Sequence, residues 1–341
     1  MAEGLVRALD EMARRDVDVL VLGREGNARF VSEATRLWLA GTRPFAPGCV
    51  VVRETGAVHL LSVTDFGVPA EIPPERLYPM SWNPANIMGA VATIPGVSGA
   101  QRIGVDGLTP LFEQLFEATF PNAQLADGEG VMRAARKVKS AAEVALLRAA
   151  IAVAEGALDA AVDVLRPGAR EVELKGVFEE RMCRLGTTTP AFEGTFCVID
   201  GDEPIRRFVS DRRMAEGDRV ALSAGVLRDG WEGSLARTWP CGEPTTELRD
   251  RRSRWDGAWA SLVDRCAPGV HAAELEASAP GTSVHGAGLG SEGIDDATPL
   301  EPGMVIRLEL EAHGILGADM LLIADEDAEV LSAFPYGAAG E

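Results

Sequence analysis

Two apolar runs, Arg219 to Val226 and Trp231 to Thr238, flank the tetrapeptide Leu227-Arg228-Asp229-Gly230. An Asp-Gly pair between such runs is the turn of a two-residue β-hairpin, so this stretch commits the chain to an antiparallel ribbon. Further strands are expected at Phe196 to Ile199, Met304 to Glu311 and Asp319 to Ala324. Upstream, the Ala-rich stretch from Met132 to Leu165 carries apolar residues at helical intervals and is stopped by Arg166-Pro167-Gly168, and a second helical pattern runs from Glu171 to Leu185. Helices first and antiparallel strands after them predict an α+β domain. Within it the sequence predicts a short helix from Trp255 to Cys266 and a glycine-rich loop from Gly281 to Gly293.

One such domain does not use up 341 residues, which exceed what a single core usually organises. The first part of the chain alternates in type: a helical pattern through Arg15, strands at Val17 to Leu22, Gly48 to Arg53, Val58 to Leu61 and Ile103 to Asp106, and a helix from Thr109 to Phe120. The expected division is therefore a smaller α/β domain over residues 1–130 and an α+β domain over residues 131–341.

The formal net charge of -19 works against nucleic acid and anionic membranes, both of which require basic patches. No apolar run reaches the roughly 20 residues of a spanning helix, and the N-terminus reads as an amphipathic helix, so a cytoplasmic protein is expected. Five cysteines without a CxxC pair suggest reduced, mostly buried thiols. The glycines after His285 do not follow a strand of a βαβ unit, so no nucleotide site is expected there.

Four blocks carry a family resemblance. They are Arg136-Lys137-Val138-Lys139-Ser140 with Glu143 and Leu147-Arg148-Ala149-Ala150; Gly217-Asp218-Arg219-Val220 with Ser223, Gly225, Gly230, Ser234, Arg237 and Thr238; His285-Gly286-Ala287-Gly288-Leu289-Gly290; and Leu300-Glu301-Pro302-Gly303-Met304-Val305 with Glu309. In this order and spacing they resemble the pita-bread peptidases (aminopeptidase P, prolidase, creatinase). The resemblance implies a pita-bread catalytic domain behind a creatinase-type N-terminal domain, and a homodimer.

It also implies a site. The family's peptidases hold two divalent metals with an Asp, a second Asp eleven residues on, a His, a Glu and a last Glu. Aligned to that set, this chain has Ser223, Ser234, His285, Glu309 and Ala318. A substrate-binding His of the family falls at Arg206, and a second one at Glu292. Three of the five ligands being absent, the expectation is a site without metal or other cofactor, since bridging two cations takes several anionic oxygens.

The expected activity is that of a creatinase-like or Xaa-Pro-peptidase-like enzyme cleaving a C–N bond of a small amide, guanidino or amino-acid-like substrate. His285 and Glu309 are its expected catalytic acid–base pair, and Arg206, Ser223, Ser234, Glu292 and Arg43 its substrate-binding residues. Arg43 enters because some relatives send an arginine into the partner's site. Arg237 is expected in a structural ion pair. Two alternatives stand beside this reading: a non-hydrolytic biosynthetic enzyme working by elimination, isomerisation or cyclisation, and a catalytically silent binding module, which predicts a plugged cavity.

Overall fold

The amphipathic N-terminal segment forms helix α1 (Glu3–Arg14), which buries Leu5, Ala8 and Met12 on one stripe. The fold comes from a computed structural model that describes residues 2–35, 47–201, 204–206, 208–294 and 298–337. The chain divides into two units, Met1–Lys137 and Val138–Glu341.

In the first unit α1 is followed by β1 (Val19–Leu22), α2 (Glu25–Ser32), β2 (Cys49–Val52), β3 (Ala57–Leu61), β4 (Leu77–Tyr78), α3 (Pro84–Ala92), β5 (Arg102–Val105), α4 (Pro110–Thr119), β6 (Gln124–Asp127) and α5 (Gly128–Lys137). Among the described residues six strands form one mixed sheet in the order β4-β3-β2-β1-β5-β6. Its inner strands β1 (Val-Leu-Val-Leu) and β2 (Cys-Val-Val-Val) are uninterrupted apolar runs because both faces are covered. Just past β5, the buried Asp106 accepts hydrogen bonds from the Gly23 and Arg24 amides at 2.7 and 3.0 Å and from Asn27 Nδ2 at 3.0 Å. These bonds satisfy the chain where β1 turns into α2.

The long helix expected from Met132 to Leu165 is two helices. Helix α5 ends at Lys137 and α6 (Ala141–Asp163) begins after a three-residue break. Ser140 caps α6, its Oγ accepting from the Glu143 amide while Glu143 Oε2 accepts from the Ser140 amide. A capping box is a start signal strong enough to override continuous helical spacing. The division expected at residue 130 falls inside α5, and the two units part after Lys137.

The second unit continues with α7 (Glu171–Arg184), β7 (Thr195–Val198), β8 (Arg219–Arg228), β9 (Trp231–Pro240), α8 (Thr246–Arg265), α9 (Ala272–Ser278), β10 (Thr282–Gly288), β11 (Gly290–Glu292), β12 (Val305–Ala312), β13 (Ile315–Ile323) and β14 (Ala328–Val330). The expected β8–β9 hairpin forms, with Asp229 and Gly230 both at positive φ, 51° and 83°. Among the described residues the sheet runs β11-β10-β12-β13-β9-β8-β7, with β14 beside β13. The stretch expected as a glycine-rich loop is instead the β10–β11 hairpin. Glycine serves packing there: a Cβ on Gly286 would lie 3.0 Å from the Glu292 carbonyl, and one on Gly288 would meet the Glu292 carboxylate.

Alternation along the strands divides this sheet into two faces. Leu222, Ala224 and Leu235 pack with Ala154 and Leu158 of α6, while Leu308 and Leu310 pack with Trp255 and Leu262 of α8. The intervening residues point the other way. The cysteines are free thiols, and all but Cys183 are buried.

The middle of the sheet, where β9 meets β13, is tied by buried side chains of β9: Thr238 Oγ1 donates to the Leu316 carbonyl at 3.0 Å and accepts from its amide at 2.8 Å, and Arg237 makes the larger set of bonds. Arg237, 1% exposed, donates from Nη1 to the Ala236 and Ala318 carbonyls at 2.7 and 2.8 Å and from Nη2 to Asp319 Oδ1 at 2.8 Å. Its guanidinium lies 3.8 Å from the centroid of the Tyr336 ring, whose hydroxyl donates to Asp319 at 2.5 Å. This is the structural ion pair expected of Arg237.

Arg237→Met is expected to lower unfolding free energy by about 3–5 kcal/mol in urea titrations, because it strands a buried carboxylate; adding Asp319→Leu should recover much of that loss. A glycine contrast checks the packing of α6 on β9. Gly233→Ala drives a methyl into the Ala150 backbone and should cost about 1–3 kcal/mol. Gly257→Ala, within α8 and with open space around it, should stabilise by about 0.4–1 kcal/mol.

Candidate active site

Strand register brings residues far apart in sequence onto one line. Thr195 pairs with Ser223, Ser223 with Ala236, Ala236 with Ala318, Ala318 with Glu309, and Glu309 with Ser283. Two residues along, His285 pairs with Arg307 and Ser234 with Gly225. Partners across a ladder, and residues two apart on a strand, share a face. All five positions at which the sequence was compared with a two-metal ligand set therefore lie on one face of the sheet, opposite to that of Leu222, Leu235 and Leu308.

Above this face is a cleft of about 400 Å³. Ser223, Glu232, His285, Arg307 and Glu309 line its floor; Phe192 and Phe208, 37% and 71% exposed, stand at its edge. Polar groups convergent under an apolar rim are what a small-molecule site requires.

Arg307 organises the floor. Its Nη1 donates to Glu309 Oε2 at 2.8 Å and its Nη2 to Ser223 Oγ at 3.2 Å, with Phe192 stacked at 5.6 Å from the guanidinium carbon. The residue is 8% exposed, and its Nε is buried without a hydrogen-bond partner. A permanently charged guanidinium thus sits between two of the five compared positions, and only a carboxylate of one of them neutralises it.

Glu232, on β9 two residues before Ser234, is 5% exposed and accepts a hydrogen bond from the Ser234 hydroxyl at 2.8 Å. Burial pushes its carboxyl above the usual range; Ser234, Arg307 and His285 pull it down, and Glu292 adds to the rise. Its neighbour Glu309 has a guanidinium on it, so the two carboxyl groups of the floor are in opposite surroundings.

The expected site residues separate accordingly. His285, Glu309 and Ser223 meet in the cleft. The imidazole of His285 is exposed and bonds to no described residue, and Glu309 Oε2 accepts from Arg307, so in place of the direct Glu309–His285 pairing expected from the sequence the carboxylate is held by the ladder neighbour of His285. Ser234 is fully buried beneath Glu232 and does not line the cleft. Glu292 is ion-paired at 2.8 Å with Lys139, whose side chain is 2% exposed.

Arg206 is turned to another task. It donates to both oxygens of the fully buried Glu171 at 2.7 Å, alongside the Ser210 hydroxyl and the Val198 amide, and lies outside the cleft lining. Without that guanidinium the carboxylate at the start of α7 would be buried uncompensated. Arg43 lies outside the described residues.

Sequence reading passed over Arg307 and Glu232. A signal for both existed: each is two residues from a compared position, 309 and 234, and a strand's period of two puts such residues on the same face. Among the described residues no group of three or more His, Cys, Asp or Glu side chains is placed to hold a metal ion. Ser223 and Ser234 offer hydroxyls, Ala318 offers nothing, and the carboxylate of Glu309 is bonded to a cation, so the donors do not fit a two-metal centre.

Comparison with known proteins agrees with this architecture. Residues 145–326 match metallopeptidase family M24, and residues 5–138 match the creatinase/prolidase N-terminal domain. The chain is 22% identical to a Xaa-Pro dipeptidase of Pyrococcus horikoshii, over 91% of this chain and 89% of the relative. It is 26% identical to a Xaa-Pro dipeptidase of Pyrococcus furiosus, over 97% of each. The solved prolidase of Pyrococcus horikoshii has the same fold, with a TM-score of 0.79 at 20% identity over 98% of this chain and 99% of that one. So does an X-Pro aminopeptidase of Thermotoga maritima, with a TM-score of 0.77 at 16% identity over 98% and 99%. The family model spans more than half of the 341 residues, and the chain belongs to metallopeptidase family M24, with a creatinase-type α/β domain ahead of its pita-bread catalytic domain.

Proposed function

We propose that this chain is a metal-independent member of its family, an enzyme that hydrolyses a C–N bond in a small amide, guanidino or amino-acid-like substrate. The observation that carries the reading is the guanidinium of Arg307 between Ser223 and Glu309. A fixed cation stands among the positions that would otherwise surround divalent metal, and it repels a second cation placed beside it.

The residues of the floor divide the work. His285, whose imidazole is exposed to the cleft and bonds to no described residue, takes the proton of an attacking water as general base. Glu309 holds Arg307 in one orientation. Arg307 turns positive potential toward an oxygen that gains negative charge as the carbonyl or amidine carbon becomes tetrahedral. It also replaces Arg206 as the anchor for a substrate carboxylate. The open cleft speaks against a silent scaffold, for which a plugged cavity is expected.

Two outcomes check the reading. Elemental analysis of dialysed protein should find far less than one equivalent of Mn, Co or Zn per chain; two equivalents, with activity abolished by a chelator, would refute metal independence. In a screen of dipeptides, N-acylated amino acids and guanidino acids run with EDTA, His285→Asn should lower kcat about 100-fold or more on any compound turned over, the scale of general acid–base assistance. Arg307→Lys should also fall well below the parent, since a point-charge ammonium cannot hold Glu309 and Ser223 together. A folded His285→Asn protein with full activity would remove the mechanism.

A further inference from the structure

Glu232 is a buried carboxyl that faces the cleft without a cation of its own. Glu309 is paired with Arg307 at 2.8 Å, whereas Glu232 has no part in holding that guanidinium. Among the described residues Glu232 has one hydrogen bond, accepted from Ser234, and no Lys, Arg or His within ion-pair distance. Ser234 is itself 0% exposed, so its hydroxyl has no water to turn to and holds the carboxyl in place.

A carboxyl group taken out of water without a counter-ion keeps its proton, because burying the charge costs several kcal/mol. The groups that face it are Ser234 on its own strand, His285 on β10, Glu292 on β11 and Arg307 on β12. Of these, Arg307 is ion-paired with Glu309 at 2.8 Å and Glu292 with Lys139 at 2.8 Å, so each charge already has a partner of its own. The balance of the surroundings leaves burial dominant, and the carboxyl is held above its ordinary range.

We infer that Glu232 is the proton donor of the cleft, a neutral carboxylic acid that protonates the leaving nitrogen of a small substrate while His285 deprotonates the attacking water. This role rests on the hydrolytic reading given above. The step balances. The water oxygen bonds to the electrophilic carbon, its proton passes to His285, the C–N bond breaks, and the Glu232 proton goes to the departing nitrogen. Solvent in the cleft then carries the proton of His285 back to the Glu232 carboxylate. One carboxyl kept neutral by burial beside one kept ionised by a cation is the arrangement that separates acid from base within a single site.

The test uses the full chain and two readouts. Isotope-edited infrared spectra of protein labelled with 13C-carboxyl glutamate, taken at pH 7, should show the carbonyl band of a protonated carboxyl that is missing in Glu232→Gln. In the compound screen with EDTA, Glu232→Gln should lose about 100-fold or more in kcat with KM little changed. The parent's rate should fall as pH rises through the Glu232 pKa, and that alkaline limb should disappear in Glu232→Gln, whereas a purely structural role would leave the limb in place. Absence of the band overturns the proposal, as does a Glu232→Gln variant with undiminished kcat. If no compound is turned over, the band alone decides. Chelator-sensitive activity with the band present would sink metal independence and leave the neutral carboxyl standing, so the two failures are distinguishable.

Discussion

The second unit depends on how β9 joins β13. On one side of that join lie β7, β8 and β9, closed by the Asp229-Gly230 turn; on the other lie β10 to β14. Among the described residues the ladder between the halves pairs Ala318 with Ala236, and Arg237 donates to the carbonyls of both. Such a buried ion pair adds little net stability over an apolar filling, but it is costly to break, and here it specifies register. A slip of one residue would turn Ser223 away from Glu309 and empty the cleft floor of its polar groups.

That register explains why chemistry gathers on one face. The strands alternate, so leucines and alanines meet α6 and α8, while serine, histidine, arginine and glutamate meet the cleft. Arg307 and Glu309 compensate each other, and Lys139 and Glu292 do so nearby. Glu232 is the exception, held by a serine hydroxyl alone. Where the family resemblance leads one to expect an aspartate this chain has Ser234, and an acidic residue, Glu232, stands two residues earlier on the same strand face. The face thus carries a buried carboxyl, Glu232, beside an internal cation, Arg307.

Much of the architecture was legible because it is written in local patterns. The hairpin at Asp229-Gly230, the helix from Glu171, the amphipathic α1 and the strands around Met304 and Asp319 follow from turn chemistry and periodicity, which act between near neighbours. Two errors came from features that compete with such patterns. Ser140 and Glu143 cut one apparent helix into two, and the glycines after Gly281 served a tight hairpin where a loop was expected.

Of the site, sequence by itself, through the family resemblance, picked out Ser223, Ser234, His285, Glu309 and Ala318 as the five positions to compare. It could not determine which groups touch. Arg206 looked like an anchor until the fold set it against Glu171, and Arg307 and Glu232 looked like ordinary strand residues until register placed them on the cleft floor. The reason is physical. Burial and pairing of a charge are set by groups brought from elsewhere in the chain, so the surroundings that give Glu309 a guanidinium partner and bury Glu232 beside a serine exist only once the strands have met.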